Sequence, residues 1–138
     1  MANPNTKSTV TIGENKFNAV STQVGATTLH DHAGMPQMGT VAFSISITAD
    51  MHDNANLPFS VLQNLFSLAN VVTRDKVKDV KIEFWADETM QDALCVYSFR
   101  GWISSFFTLT NENSNHLVSL TLQPVLDAQQ FAKVTMSN

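Results

Sequence analysis

The stretch TVAFSISITADMHDNANLPFSVLQNLFSLAN, residues 40–70, changes its hydrophobic period halfway along, and that change separates a strand from a helix. Val41, Phe43, Ile45 and Ile47 fall on one face of the first half, and Ala42, Ser44, Ser46 and Thr48 on the other. This is the two-residue repeat of an extended strand. The second face carries only small, mostly hydroxyl side chains. It is too polar for a core and too small for an ordinary charged surface, so it is either lined by solvent or pressed against another surface. From residue 56 the repeat lengthens, and Phe59, Leu62, Leu65, Phe66 and Ala69 form one helical stripe, the mark of a helix that buries one side. Asn56 is placed to cap it, Pro58 suits its first turn, and Asn70 suits its end. The stripe is expected to pack on the sheet.

Working outward, STVTI (8–12) and KFNAVSTQV (16–24) read as two short strands ending at Gly13 and Gly25. A connection of about 14 residues follows, TTLHDHAGMPQMG (27–39) at its centre, punctuated by Gly34, Pro36 and Gly39. Connections that long usually carry function or an interaction. Beyond the helix, VKDVKIEFWA (77–86) sets Val80, Ile82, Phe84 and Ala86 against Lys81, Glu83 and Trp85, which leaves Trp85 partly exposed. DALCVYSFRGWISSFFTLT (92–110) exceeds an ordinary strand, and Gly101 is expected to bend or bulge it. NENSN (111–115) reads as a hairpin loop. HLVSLTLQPV (116–125) then sets Val118, Leu120 and Leu122 against Ser119, Thr121 and Gln123, a second small, neutral face. The order β-β-long loop-β-α-β-β-β predicts one domain over 1–138 with its core in about 9–126, a polar start (1–8) and a weakly patterned tail (127–138). The fold class is mainly β or α+β: antiparallel, barrel-like sheets with one flanking helix and a long extended loop.

Composition narrows the function. Apolar residues make up 43% of the chain, enough for a core, whereas charged residues make up only 14%, against roughly 25% in soluble domains. Ser, Thr, Asn and Gln supply the polarity with 45 residues. A surface of neutral hydrogen-bonding groups repels its neighbours weakly and suits packing against copies of itself. A net charge of −4 without a Lys/Arg cluster argues against a nucleic-acid partner. No run of about 18 apolar residues is present to span a membrane, and MANPNTKST at the start lacks the apolar segment of a signal peptide. The single Cys95 excludes an intrachain disulfide and reads as a buried strand residue.

Catalytic chemistry finds no motif. Asp87 and Glu88 are adjacent and face apart, Ser104 and Ser105 lack a His–Asp framework, and His116 reads as a solvated histidine at a strand edge. No enzyme and no cofactor are expected. The one metal-like cluster is His30-x-His32 with Asp31 between, plus the soft Met35 and Met38, a set that would favour copper, with His52 and Asp53 able to join. A glycine-punctuated loop does not hold such groups in convergent geometry, so they are expected to serve as adaptable contacts rather than as ligands.

The element order and the segments FNAVSTQVG (17–25), 43–70 and 80–125, with the long loop at 26–39, resemble the haemolysin-coregulated protein (Hcp) tube subunits of type VI secretion systems, which are similar to phage tail-tube proteins. The resemblance implies a structural subunit of an inner tube. Such subunits form hexameric rings that stack into a hollow tube, with contractile sheath and spike proteins as partners and effector cargo possible in the lumen. It also implies synthesis and assembly in the cytoplasm and export without a signal peptide to the outside or into a target cell. Under it, His30, Asp31, His32, Met35, Pro36 and Met38 belong to a loop that reaches the adjacent ring. Either the Ser44, Ser46, Thr48 face or the Ser119, Thr121, Gln123 face lines the channel. A tail-tube protein of a phage or another contractile system, and a small metal- or ligand-binding β-barrel, are the alternatives.

Overall fold

The computed structural model describes residues 8–28, 30–37, 42–86, 89–110, 116–126 and 134–137. Eight strands and one α-helix follow in the order β1 (Ser8–Ile12), β2 (Asn15–Ala19), β3 (Ser21–Thr27), β4 (Ala42–Asp50), α1 (Phe59–Ala69), β5 (Lys78–Trp85), β6 (Ala93–Thr110), β7 (His116–Pro124) and β8 (Thr135–Ser137). All pairings are antiparallel, in the lateral order β2-β1-β5-β6-β7-β4-β3, with β8 also on β6.

The two edges of this sheet are consecutive pieces of chain. KFNAVSTQV, expected as one strand, is split at Val20 between β2, which pairs with β1, and β3, which pairs with β4. The Val20 N–H donates to Thr48 O (2.8 Å), and the Ser8 and Thr22 hydroxyls meet at 2.8 Å across the gap. The ladder therefore stays open between β2 and β3, while the chain itself carries the sheet around into a barrel-like curl. Changing partners at a bend is the usual way a strand turns such a corner.

Inside the curl the inward positions interlock: Val10 and Ile12 of β1, Phe17 of β2, Ile45 and Ile47 of β4, Val80 and Ile82 of β5, Ile103 of β6, and Val118, Leu120 and Leu122 of β7, all buried. The alternation read from sequence for β4, β5 and β7 is the alternation observed.

Two local expectations are corrected. β6 runs as a single strand of 18 residues, and its irregularities lie between Ala93 and Cys95 against β5 and between Ile103 and Ser105 against β7, not at Gly101. From Cys95 to Ile103 the odd-numbered residues face the core. Past Ser104 the inward residue is Phe106, paired with Leu120, so the Ser-Ser dipeptide marks the slip. Gly101 serves a different purpose: a Cβ there would lie 2.6 Å from Gln123 O and 2.6 Å from the Phe99 ring. It permits close approach of β6 to β7.

The helix stripe is also rotated. Leu65 is buried, and Val61, Leu62, Leu68 and Ala69 pack against the core, whereas Phe59 is 72% exposed and Phe66 46%. The cause lies ahead of the helix. Pro58 occupies the N-cap position, and Asn56 does not cap. Its side chain instead binds the β2 backbone, accepting from Asn18 N–H (2.6 Å) and donating to Asn18 O (2.8 Å). Leu57 is buried beside it, one residue before the cap, with Leu62 at the matching position of a hydrophobic staple. Tied at Asn56 and anchored at Leu57, α1 presents 61, 65 and 68 inward. Phe66 instead makes an edge contact with Phe106, ring centroids 5.5 Å apart.

Candidate functional site

The outward positions divide the sheet surface into two unlike halves. On β1, β2, β5 and the first part of β6 they include Lys16, Asp79, Lys81, Glu83 and Arg100, with ion pairs Lys81–Glu83 (3.8 Å) and Arg100–Asp79 (3.3 Å). On β3, β4 and β7 the central ones are Ser21, Gln23 and Gly25; Ser44, Ser46 and Thr48; and Ser119, Thr121 and Gln123, with the Asp50–Leu117 pair at one end. The register pairs Ser46 with both Gln23 and Thr121, and Thr48 with both Ser21 and Ser119. The two small faces read separately from sequence are thus one continuous surface with no ionisable side chain across its central positions. Ser105 extends it onto β6, because the slip after Ile103 turns this serine outward opposite Thr121. Trp102, half-buried opposite Gln123, and exposed Phe107, opposite Ser119, border it.

Within the long connection, residues 30–36 form a small hairpin. His30 and Pro36 form an isolated antiparallel bridge. Asp31 Oδ1 accepts from Ala33 N–H (2.9 Å) and Met35 N–H (3.0 Å), and Asp31 N–H donates to Met35 O (3.0 Å). Gly34, with φ 81°, makes the turn. Asp31, considered above as a metal ligand, thus holds the tip together. His30, His32, Met35 and Pro36 are all exposed, Met35 at 63%. Met38 lies outside the described residues, as do Asp87 and Glu88. Among the described residues no group of three or more His, Cys, Asp or Glu side chains is placed to hold a metal ion.

Trp85 is half-buried, and its indole N–H donates to Thr9 Oγ1 (2.9 Å). Thr9 points outward, yet only 2% of it is exposed. Cys95 is half-buried rather than buried. Ser104 donates to Thr121 O (3.1 Å), a contact that secures the slip.

Sequence reasoning missed three features. His52 and His116, 64 residues apart, bring ring nitrogens to 2.6 Å; only the β4–β7 register foretells that. Val71 follows α1 at φ 56° while 75% exposed, an uncommon conformation for a β-branched residue. Beside it, Val72, Val77, Trp102, Pro124, Val125 and Leu126 line an apolar groove of about 770 Å³. Thr73 and Arg74 also line it, and the Thr73 hydroxyl holds the neighbouring Asp75 carboxyl below its usual range by a hydrogen bond.

The sequence matches no family model and no curated protein. Solved structures do match. Hcp1 from Flavobacterium johnsoniae superposes with a TM-score of 0.65 at 10% identity, covering 95% of this chain and 94% of that one. Hcp1 from E. coli EAEC 042 gives 0.65 at 8%, covering 96% and 98%. A type VI secretion system effector from Yersinia pestis gives 0.57 at 7%, covering 95% and 98%. Nearly the whole of each chain is matched, so the β-rich architecture, with one α-helix among the described residues, is that of the Hcp fold.

Proposed function

We propose that the chain is a structural subunit of the inner tube of a type VI secretion-type contractile machine, acting by assembly and passage rather than by catalysis. The observation that carries this reading is the continuous neutral face of β3, β4 and β7 on an Hcp fold. A channel wall must let cargo slide past. Charged groups would hold cargo by ion pairs, and large apolar groups would hold it by burial. Ser44, Ser46, Thr48, Ser119, Thr121 and Gln123 offer neither. In this reading six copies close a ring, with those residues facing the lumen. The hairpin carrying His30, Asp31, His32, Met35 and Pro36, with Met38 beyond it, reaches the next ring. The sheath and spike act on the stacked tube, effector cargo travels in the lumen, and the assembly is exported from the cell.

Light scattering after size exclusion, at tens of micromolar, tests the reading together with negative-stain images. Rings are expected, and a strict monomer would overturn it. Deleting residues 31–38 separates the two roles: rings should persist while tubes are lost, and tubes of unchanged length would refute the role of the hairpin.

A further inference from the structure

His52 and His116 come from separate parts of the chain and end with Nε2 of one ring 2.6 Å from Nδ1 of the other, centroids 4.6 Å apart and planes at 71°. Both backbones are held independently of the rings. His52 N–H donates to Asp50 Oδ1 (2.9 Å), and His116 O accepts from Met51 N–H (3.0 Å). Both side chains are exposed. We propose that this pair is a binding site for a divalent transition-metal ion of the copper, nickel and zinc group, chelated by two imidazoles. The site does not depend on the tube reading.

Neutral imidazole suits these ions, and copper binds such ligands most tightly within the first-row order. In the pair as it stands, one ring donates N–H and the other accepts on a lone pair. A metal needs both lone pairs, so the donor ring must move its proton to its other nitrogen. No proton is gained or lost, and one hydrogen bond is exchanged for two metal–nitrogen bonds. Two nitrogens each about 2.0–2.1 Å from one ion lie roughly 2.9–3.4 Å apart for angles between square and tetrahedral. The two nitrogens therefore separate by less than about 1 Å, and each ring turns by roughly 40° to aim its lone pair at the ion, a rotation about the side-chain torsions that exposed histidines have room to make. Asp50 and Asp53 stand within the same turn and contribute negative potential, each with Oδ1 holding a backbone N–H. The remaining coordination positions open to solvent.

The test is titration of the untagged, full-length chain with Cu²⁺ alone, followed by calorimetry and by paramagnetic resonance. One ion per chain is expected, with coupling to two nitrogens. The variants H52Q and H116Q should each weaken binding at least tenfold, while the double variant H30Q/H32Q in the hairpin leaves it unchanged. Line broadening by Cu²⁺ confined to the His52 and His116 imidazole signals of the unaltered chain gives the same answer should either variant misfold. Absence of binding, binding indifferent to H52Q, or loss of binding only in the hairpin variant would each overturn the site and leave the pair a simple hydrogen-bonded contact.

Discussion

Replacing Gly101 by Ala sets two effects of opposite sign against each other. Gly101 does not require a left-handed backbone, and in such a position Gly→Ala ordinarily stabilises by about 0.4–1 kcal/mol, through the reduced freedom of the unfolded chain. Against this, the new Cβ would stand 2.6 Å from Gln123 O and 2.6 Å from Phe99 Cε2, where real contacts do not fall below 3.0 Å. The Phe99 ring, 5% exposed, has little room to withdraw. Gln123 O is backbone of β7, so relief there means prising β6 from β7 at the centre of the sheet. Overpacking of this kind costs about 1–3 kcal/mol and occasionally more. The net expectation is a loss of about 1–2 kcal/mol. For a chain of 138 residues, each kcal/mol lowers Tm by about 3–5 °C, so G101A should melt roughly 3–10 °C lower at equal protein concentration. Urea unfolding should give a lower midpoint with an unchanged slope. A melting temperature equal to or above that of the unaltered chain would refute the close approach of β6 to β7.

Three further changes probe the same architecture. Val71→Gly removes a β-branched side chain from φ 56° where it is mostly exposed; relief of about 1 kcal/mol is expected, and a lowered urea midpoint would contradict it. Asn56→Ala deletes both hydrogen bonds to Asn18; a loss of about 1–3 kcal/mol is expected, with amide exchange accelerated at β2, and an unaltered midpoint would mean that the tie contributes nothing. Ile47→Ala truncates a fully buried residue of β4 and should cost about 2–5 kcal/mol, measured by the same unfolding; a cost below 1 kcal/mol would place Ile47 outside the core.

What was legible in the sequence is what local periodicity encodes. The alternation of β4, β5 and β7 places Ile45, Ile47, Val80, Ile82, Leu120 and Leu122 inside, because a half-buried strand has a period of two whatever its partners. What was not legible depends on contacts between distant segments. The helix stripe was read with Phe59 inside, yet its rotation follows from Asn56 gripping β2, a contact 38 residues away in sequence. The split of β2 from β3 at Val20 leaves no local signature, since both halves remain extended and only their partners change. The slip in β6 did leave one. Ile103 and Phe106 are three apart with two serines between, an interval a regular strand cannot place on one face, while Gly101 drew attention for a conformational freedom it does not use.

The neutral face follows from register rather than from any one strand. Ser44, Ser46 and Thr48 would make a narrow polar stripe on their own, and so would Ser119, Thr121 and Gln123. A shift of one residue between β4 and β7 would set each stripe beside the partner's Ile45, Ile47, Leu120 and Leu122, because successive side chains in a strand point to opposite faces. The burial of those residues on the inner side therefore enforces the continuity of the hydroxyl groups on the outer side. The slip at Ser104 does the same for β6: without it Phe106 would point outward opposite Ser119 and Ser105 inward opposite Leu120, and with it Ser105 stands outward opposite Thr121 while Phe106 packs against the core. The packing that stabilises the sheet and the surface proposed to face the channel are thus set by one register. A core substitution that let β7 slip would be expected to damage both together.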